Sequence, residues 1–141
     1  ELYFAFSQAY PEKVNFWLKI SEAEKEHARL LQSLNTVMDQ GYLFFNLNRF
    51  DQGTIDAQIK RVNKETVAVK EAPPSLLQAL AIALSIEASI VDAHFYDTVT
   101  SDCPEFKTMA DHLARETQQH IKMFQDVFAQ LDSSAGGAVA G

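Results

Sequence analysis

The chain has 141 residues, 47% of them hydrophobic and 22% charged, with a net charge of −7 from 19 acidic against 12 basic residues. That length suits one domain whose core is large enough to fold alone. The acid excess counts against nucleic acid and anionic membrane as partners, because both reward clustered Lys and Arg. It suits a protein that uses carboxylates on cations, although most surplus acid is simply solvated surface.

Four prolines and five glycines are present, and Gly136, Gly137 and Gly141 lie at the C-terminal end, so the body has few helix breakers. Cys103 is the sole cysteine. No disulfide framework, zinc knuckle or rubredoxin-type iron site can be built within the chain. Beside Pro104, this cysteine reads as structural or incidental, and a reducing, cytoplasmic setting is expected. No apolar run approaches the roughly 20 residues of a membrane span. The chain opens on Glu1 rather than Met, so the lack of a leader-like stretch carries no weight.

Taken in order, Glu1 to Tyr10 reads as the end of a helix, and Pro11-Glu12 as a short turn. A second helix is expected from Glu12 to Asp39 or Gln40, stopped by Gly41. Tyr42 to Gly53 is a connection rich in aromatics and Asn, followed by a shorter helix from Thr54, as its cap, to Lys70. Glu71-Ala72-Pro73-Pro74-Ser75 breaks it. So long a link lets the third helix run parallel to the second. The third helix is expected over Ser75–Ser101, a turn over Asp102-Cys103-Pro104, and a fourth helix over Glu105–Leu131. Residues 1–132 form the predicted helical domain, and Ser133–Gly141 a tail of small residues, expected to be mobile.

The functional signal lies in polar residues that interrupt apolar stripes. The second helix carries Trp17, Ile20, Glu24, His27, Leu31, Leu34 and Met38 at alternating steps of three and four, so Glu24 and His27 stand where the pattern demands apolar side chains. Burying a carboxylate and an imidazole is costly unless something pairs with them, and residues three apart on one face can bind the same ion. Glu87 interrupts the third helix in the same way, and Thr117 and His120 the fourth. Glu1 and Glu24 are at similar distances from the Pro11 turn, Glu87 and His120 at similar distances from the Pro104 turn. Antiparallel neighbours would therefore bring all of them to one depth.

With those residues in view, the chain resembles the ferritin-like superfamily and, within it, the rubrerythrin-like proteins. The resemblance rests on Glu1-Leu2-Tyr3-Phe4-Ala5-Phe6, Phe16-Trp17-Leu18-Lys19-Ile20, Glu24-Lys25-Glu26-His27-Ala28, Ile86-Glu87 through Phe95-Tyr96, and Leu113 through His120. It covers essentially all of residues 1–131. It implies an all-α, four-helix bundle with a long crossover between helices 2 and 3. It also implies two carboxylate-bridged metal ions, usually iron, held by a Glu on each of two helices and a Glu-x-x-His on each of the others. Five of the six implied ligands are present: Glu1, Glu24, His27, Glu87 and His120. The sixth position holds Thr117 instead of Glu. Glu116 is adjacent, but one residue off rotates it about 100° from the stripe, so it would reach in only if the helix rewound locally. The implied outcomes are a weakened two-iron site, a single ion, or none; zinc and manganese are the other metals such donors accept.

Several other residues have plain structural readings. His94, two turns after Glu87, is a polar residue at the bundle mouth or an extra ligand. His112 is expected to face solvent or a neighbouring helix. Tyr3, Tyr10, Tyr42 and Tyr96 read as packing residues, with Tyr3 or Tyr96 the ones placed for redox work, and Trp17 as core. Lys60, Arg61 and Lys64 read as the wet face of the short helix.

The function implied by the resemblance is that of a di-iron oxidoreductase, an oxidase or peroxidase acting on oxygen or hydrogen peroxide. Full rubrerythrins carry a rubredoxin domain; without one, electrons come from a separate donor. The alternative is a degenerate bundle that serves as a metal-binding or interaction module without catalysis. A homodimer is expected, with helix 2 and the link Tyr42–Phe50 as its face, and neither nucleic acid nor membrane as partner.

Overall fold

The computed structural model describes residues 1–39, 44–45, 52–92, 99–100 and 104–136. Among the described residues the fold is all-helical apart from one short ladder. The helices are α1 (Leu2–Ala9), α2 (Val14–Asp39), α3 (Gln52–Glu71), α4 (Leu76–Asp92) and α5 (Pro104–Gly136). A 3-10 turn, Pro11–Lys13, joins α1 to α2, with the Lys13 N–H donating to the Tyr10 carbonyl at 2.9 Å. Proline at its first position loses no bond there, since that N–H would have no partner.

The α1–α2 hairpin and the α3 and α5 helices follow the sequence pattern closely. α3 begins at Gln52, so Thr54 lies in its first turn rather than capping it. Ser75 caps α4 reciprocally: its hydroxyl accepts from the Gln78 N–H at 3.2 Å, and the Gln78 side chain accepts from the Ser75 N–H at 2.9 Å. α5 continues past Leu131 to Gly136. The expected helix over Ser75–Ser101 is corrected. α4 ends at Asp92, and Val99–Thr100 form a strand, β2, antiparallel to β1 (Phe44–Phe45), with Phe44 opposite Thr100 and Phe45 opposite Val99. β-branched and aromatic residues favour such a pleated pair, and the cross-strand partner overrides the helical pattern.

α1 packs on α2 and α3, α4 packs on α5, and α2 meets α5. Polar ties fasten α3 to α4: Gln58 to Ser89, and Arg61 to Ser85 at 2.7 Å. Among the described residues no helix is long and apolar enough to cross a membrane.

The core centres on Trp17, wholly buried with Phe6, Phe124, Ile20 and Leu80. The Phe6 and Trp17 ring centroids are 4.7 Å apart, and Phe16 meets Trp17 edge-on at 5.0 Å. Such pairs add roughly 0.5–1.5 kcal/mol beyond the area they bury. Tyr10 closes one end of the cluster, its hydroxyl donating to the Pro74 carbonyl at 2.5 Å and so tying the α1–α2 turn to the α3–α4 link. Trp17→Ala is expected to destabilise the fold by about 3–5 kcal/mol and Tyr10→Phe by about 1 kcal/mol, read from midpoints of chemical denaturation.

Candidate metal centre

Next to the aromatic cluster the buried layer turns polar. His27, Glu87, Thr117 and His120 are all buried, and Glu87 is only 2% exposed. Each arrives on a stripe that is otherwise apolar, so helix packing that hides Trp17, Ile20, Leu80 and Leu113 hides these as well.

Glu24 is the hub. Its Oε1 lies 3.1 Å from His120 Nδ1 and 3.3 Å from His27 Nδ1. The two imidazoles face each other in a stacked pair with centroids 5.7 Å apart. Glu87 enters from α4, and Tyr3 of α1 donates its hydroxyl to Glu87 Oε1 at 2.6 Å. His27 Nε2 and Glu116 Oε2 are 2.6 Å apart across the α2–α5 interface, and Glu116 Oε2 also stands 3.6 Å from His112 Nε2.

Electrostatics separates the carboxyls. Burial alone would raise Glu24, but the flanking His120 and His27 outweigh it and hold the carboxyl down at about 2. His27 is raised to about 9, chiefly by Glu24 and, against the opposing effect of burial, by Glu116 as well. Glu87 moves the other way, to about 7, because burial and the Glu24 charge outweigh the Tyr3 hydrogen bond and the two imidazoles. Burial, then Glu87, pushes the Tyr3 phenol well above its ordinary value. Glu116 is lowered by its bond to His27. Burial first, and the Glu24 charge second, therefore keep the Glu87 carboxyl towards its neutral form.

One donor atom each from Glu24, Glu87 and His120 lies within 4.8 Å of the others. A cation about 2.0–2.2 Å from each of three donors needs them about 3–4 Å apart, so the group is near the size required. The alignment points the same way. Glu24 Oε1 and His120 Nδ1 are shielded and face each other, yet neither is oriented for a hydrogen bond to a protein partner. The pair is close but poorly aligned for a hydrogen bond, and a shared cation would satisfy both atoms more fully. Two carboxylates and an imidazole suit iron, manganese or zinc and leave coordination positions open.

The sequence-derived candidates are placed unequally. Glu24, His27, Glu87 and His120 share the layer. Glu116 reaches His27 while α5 stays α-helical throughout, so no rewinding is needed; it holds the imidazole by Nε2, leaving Nδ1 turned to Glu24. A carboxylate behind a histidine in this way fixes its orientation. Thr117 is buried, its hydroxyl donating to the Leu113 carbonyl of its own helix at 3.1 Å. Glu1 is exposed at the start of α1, where its carbonyl accepts from the Ala5 N–H. Tyr3, two residues on and so turned by roughly 200°, is the α1 residue that faces Glu87. The sequence marked Tyr3 mainly as packing; its contact with Glu87 depends on how α1 and α4 face each other. His94, Tyr42, Tyr96 and Cys103 lie outside the described residues.

The shifted groups give the metal-free protein a distinctive pH profile. Glu87, raised from 4.5 to about 7, favours its neutral form on folding, so ionisation costs stability as pH climbs through that window. His27, raised from 6.5 to about 9, contributes stability that is full below 6.5 and lost as pH passes 9. Urea unfolding of the chelator-treated protein at a series of pH values is expected to show stability falling steadily across both windows. Glu87→Gln is expected to abolish the lower step and keep the upper one.

No family model, curated protein or solved structure matches this chain, and what the cluster does follows from its own donor set and surroundings.

Proposed function

We propose that this is a ferritin-like four-helix bundle of the rubrerythrin-like kind, with α1, α2, α4 and α5 as its four helices and α3 as the crossover. Glu24, Glu87 and His120 hold a divalent metal, iron first and zinc or manganese as alternatives, for oxidase or peroxidase chemistry on oxygen or hydrogen peroxide. The observation that carries the reading is the convergence of one donor atom each from Glu24, Glu87 and His120, within 4.8 Å of one another in a shielded layer.

An iron ion in this position supplies the redox change and the open coordination positions that oxygen or peroxide needs. The chain's own residues do the rest. Glu24 and Glu87 bring two negative charges to a buried layer and stabilise a cation there. Glu116 holds His27 Nε2, keeping its Nδ1 turned towards the Glu24 carboxylate. Tyr3 holds Glu87 in place through its Oε1 and walls the site off with Trp17 and Phe124, excluding water from that side. Reducing electrons come from a separate donor, and a reducing cytoplasm is the setting that the single cysteine suits.

A second reading is favoured by two specific contacts. Thr117 spends its hydroxyl on Leu113 and Glu116 is engaged by His27, so neither offers the carboxylate that would bridge a second ion. On this reading the bundle binds one metal, or assembles as a homodimer through α2 and the 42–50 link, and performs no catalysis.

Iron content tests the metal assignment, and consumption of hydrogen peroxide by the iron-loaded protein separates the catalytic reading from the other. Protein reconstituted anaerobically with Fe(II) is expected to hold close to one ion per chain, with His120→Ala abolishing it. Thr117→Glu is expected to move occupancy towards two, by supplying the missing bridge. Iron near zero in the unaltered chain, measured by elemental analysis, would sink the metal assignment.

A further inference from the structure

The charge of α3 runs against that of the chain. It holds four of the 12 basic residues, Lys60, Arg61, Lys64 and Lys70, and among the five helices it alone has more basic than acidic residues. One side of it is committed to the fold: Thr66 and Val69 are buried, and Val62 packs on the core. The opposite side presents Ile59, Asn63, Val67 and Lys70 at steps of four, four and three, with Lys60 and Lys64 in the next row, and all six are exposed. Ile59 is 54% and Val67 55% exposed, which leaves two large β-branched side chains in water. Among the described residues Lys60, Lys64 and Lys70 form no ion pair.

Nothing next to this face neutralises it. Asp56 and Glu71 stand beyond its two ends, and Glu65 is half-buried on the other side of the helix. α1 has no charged residue, and α4 has only the buried Glu87 and its terminal Asp92. α3 is also fastened to α4 on either side of Glu87. Arg61 donates to Ser85 at 2.7 Å, two positions before Glu87, and Gln58 donates to Ser89, two positions after it. The helix that carries the lysines thus braces the helix that carries a candidate ligand.

From charge, exposure and this attachment we infer that the outer face of α3, formed by Ile59, Lys60, Lys64, Val67 and Lys70, docks an acidic one-electron carrier protein. The inference rests on the redox reading above for the destination of the electrons. The lysines draw in an acidic surface and orient it, while Ile59 and Val67 give it apolar area to cover. From Ile59 to Lys70 the face runs about 17 Å, the reach of a small interface such as weak electron-transfer pairs use. Weak docking suits a carrier that must leave after each delivery. Two deliveries supply the two electrons that, with two protons from solvent, take one hydrogen peroxide to two waters. Long nucleic acids and anionic membranes meet the whole chain and its charge of −7, whereas a small carrier on α3 is screened from the acidic faces beyond roughly 10 Å.

The test uses the full-length protein with an acidic plant-type ferredoxin as probe, and reads binding by calorimetry at low salt. Replacing Lys60, Lys64 and Lys70 together by glutamine is expected to weaken binding roughly tenfold or more. Replacing Lys19, Lys107 and Lys122, exposed lysines of α2 and α5, changes the net charge equally and is expected to weaken it by about twofold or less. Ile59→Ser with Val67→Ser is expected to speed dissociation, and circular dichroism checks that each variant is folded. Undetectable binding, or equal weakening in the two lysine variants, overturns the docking face. So does an α3 lysine variant that keeps its affinity for ferredoxin and loses binding to phosphatidylserine vesicles. A second arm mixes reduced ferredoxin with the iron-loaded protein and hydrogen peroxide, and follows ferredoxin oxidation by stopped flow. The α3 lysine variant is expected to slow it in step with the lost affinity. Binding without peroxide-dependent oxidation overturns the redox reading and leaves α3 as a docking face for an acidic protein. Oxidation at an unchanged rate in the α3 variant overturns the docking face and leaves the redox reading standing.

Discussion

The constraint on which this structure turns is the burial of charge inside a helical bundle. Glu24, Glu87, His27 and His120 occupy a layer that apolar packing would otherwise fill, flanked by Trp17, Ile20 and Phe124. Taking such groups out of water costs several kcal/mol each unless they are paired and hydrogen-bonded. The protein offsets that cost in part. Glu24 is flanked by two imidazoles, His27 is held by Glu116, and Glu87 is held by Tyr3. The remainder, two facing atoms without aligned partners and a carboxyl raised towards neutrality, has the form that a cation would complete.

The asymmetry of the site follows from one helix turn of α5. Thr117 and Glu116 are neighbours in sequence but point about 100° apart. Thr117 is directed into the bundle and satisfies itself on its own backbone, while Glu116 is directed across the interface onto His27. A carboxylate at the inward position would face the layer directly; at the neighbouring position it braces a histidine from behind. The same charge, displaced by one residue, changes from candidate ligand to support.

Much of this was legible from periodicity. The steps of three and four through Trp17, Ile20, Glu24 and His27, and the matching interruptions at Glu87 and His120, located four members of the layer because a polar residue in an apolar stripe is conspicuous. The helices themselves were legible for the same reason. Two kinds of feature were not. Val99–Thr100 pair with Phe44–Phe45, a contact across more than fifty positions that no local pattern carries, so the local pattern reads as helix where the chain forms a strand. The reach of Glu116 to His27, and of Tyr3 rather than Glu1 to the layer, depends on how neighbouring helices are rotated against each other. Spacing within one helix says nothing of that rotation.

The layer is drawn from two sequence-local units, with Tyr3, Glu24 and His27 on the α1–α2 hairpin and Glu87, Glu116 and His120 on the α4–α5 pair. Within each unit the helices are neighbours in sequence, so their contacts have low sequence separation, the kind that appear early in folding. The contacts that join the units, Tyr3 to Glu87 and His27 to Glu116, span 84 and 89 positions and must wait for the halves to meet. The charge cluster is thus complete only when the last large docking step is over. Any ion that needs both halves would bind the docked state and not its precursors, and so would act as a latch on assembly, slowing the separation of the two hairpins more than it speeds their encounter.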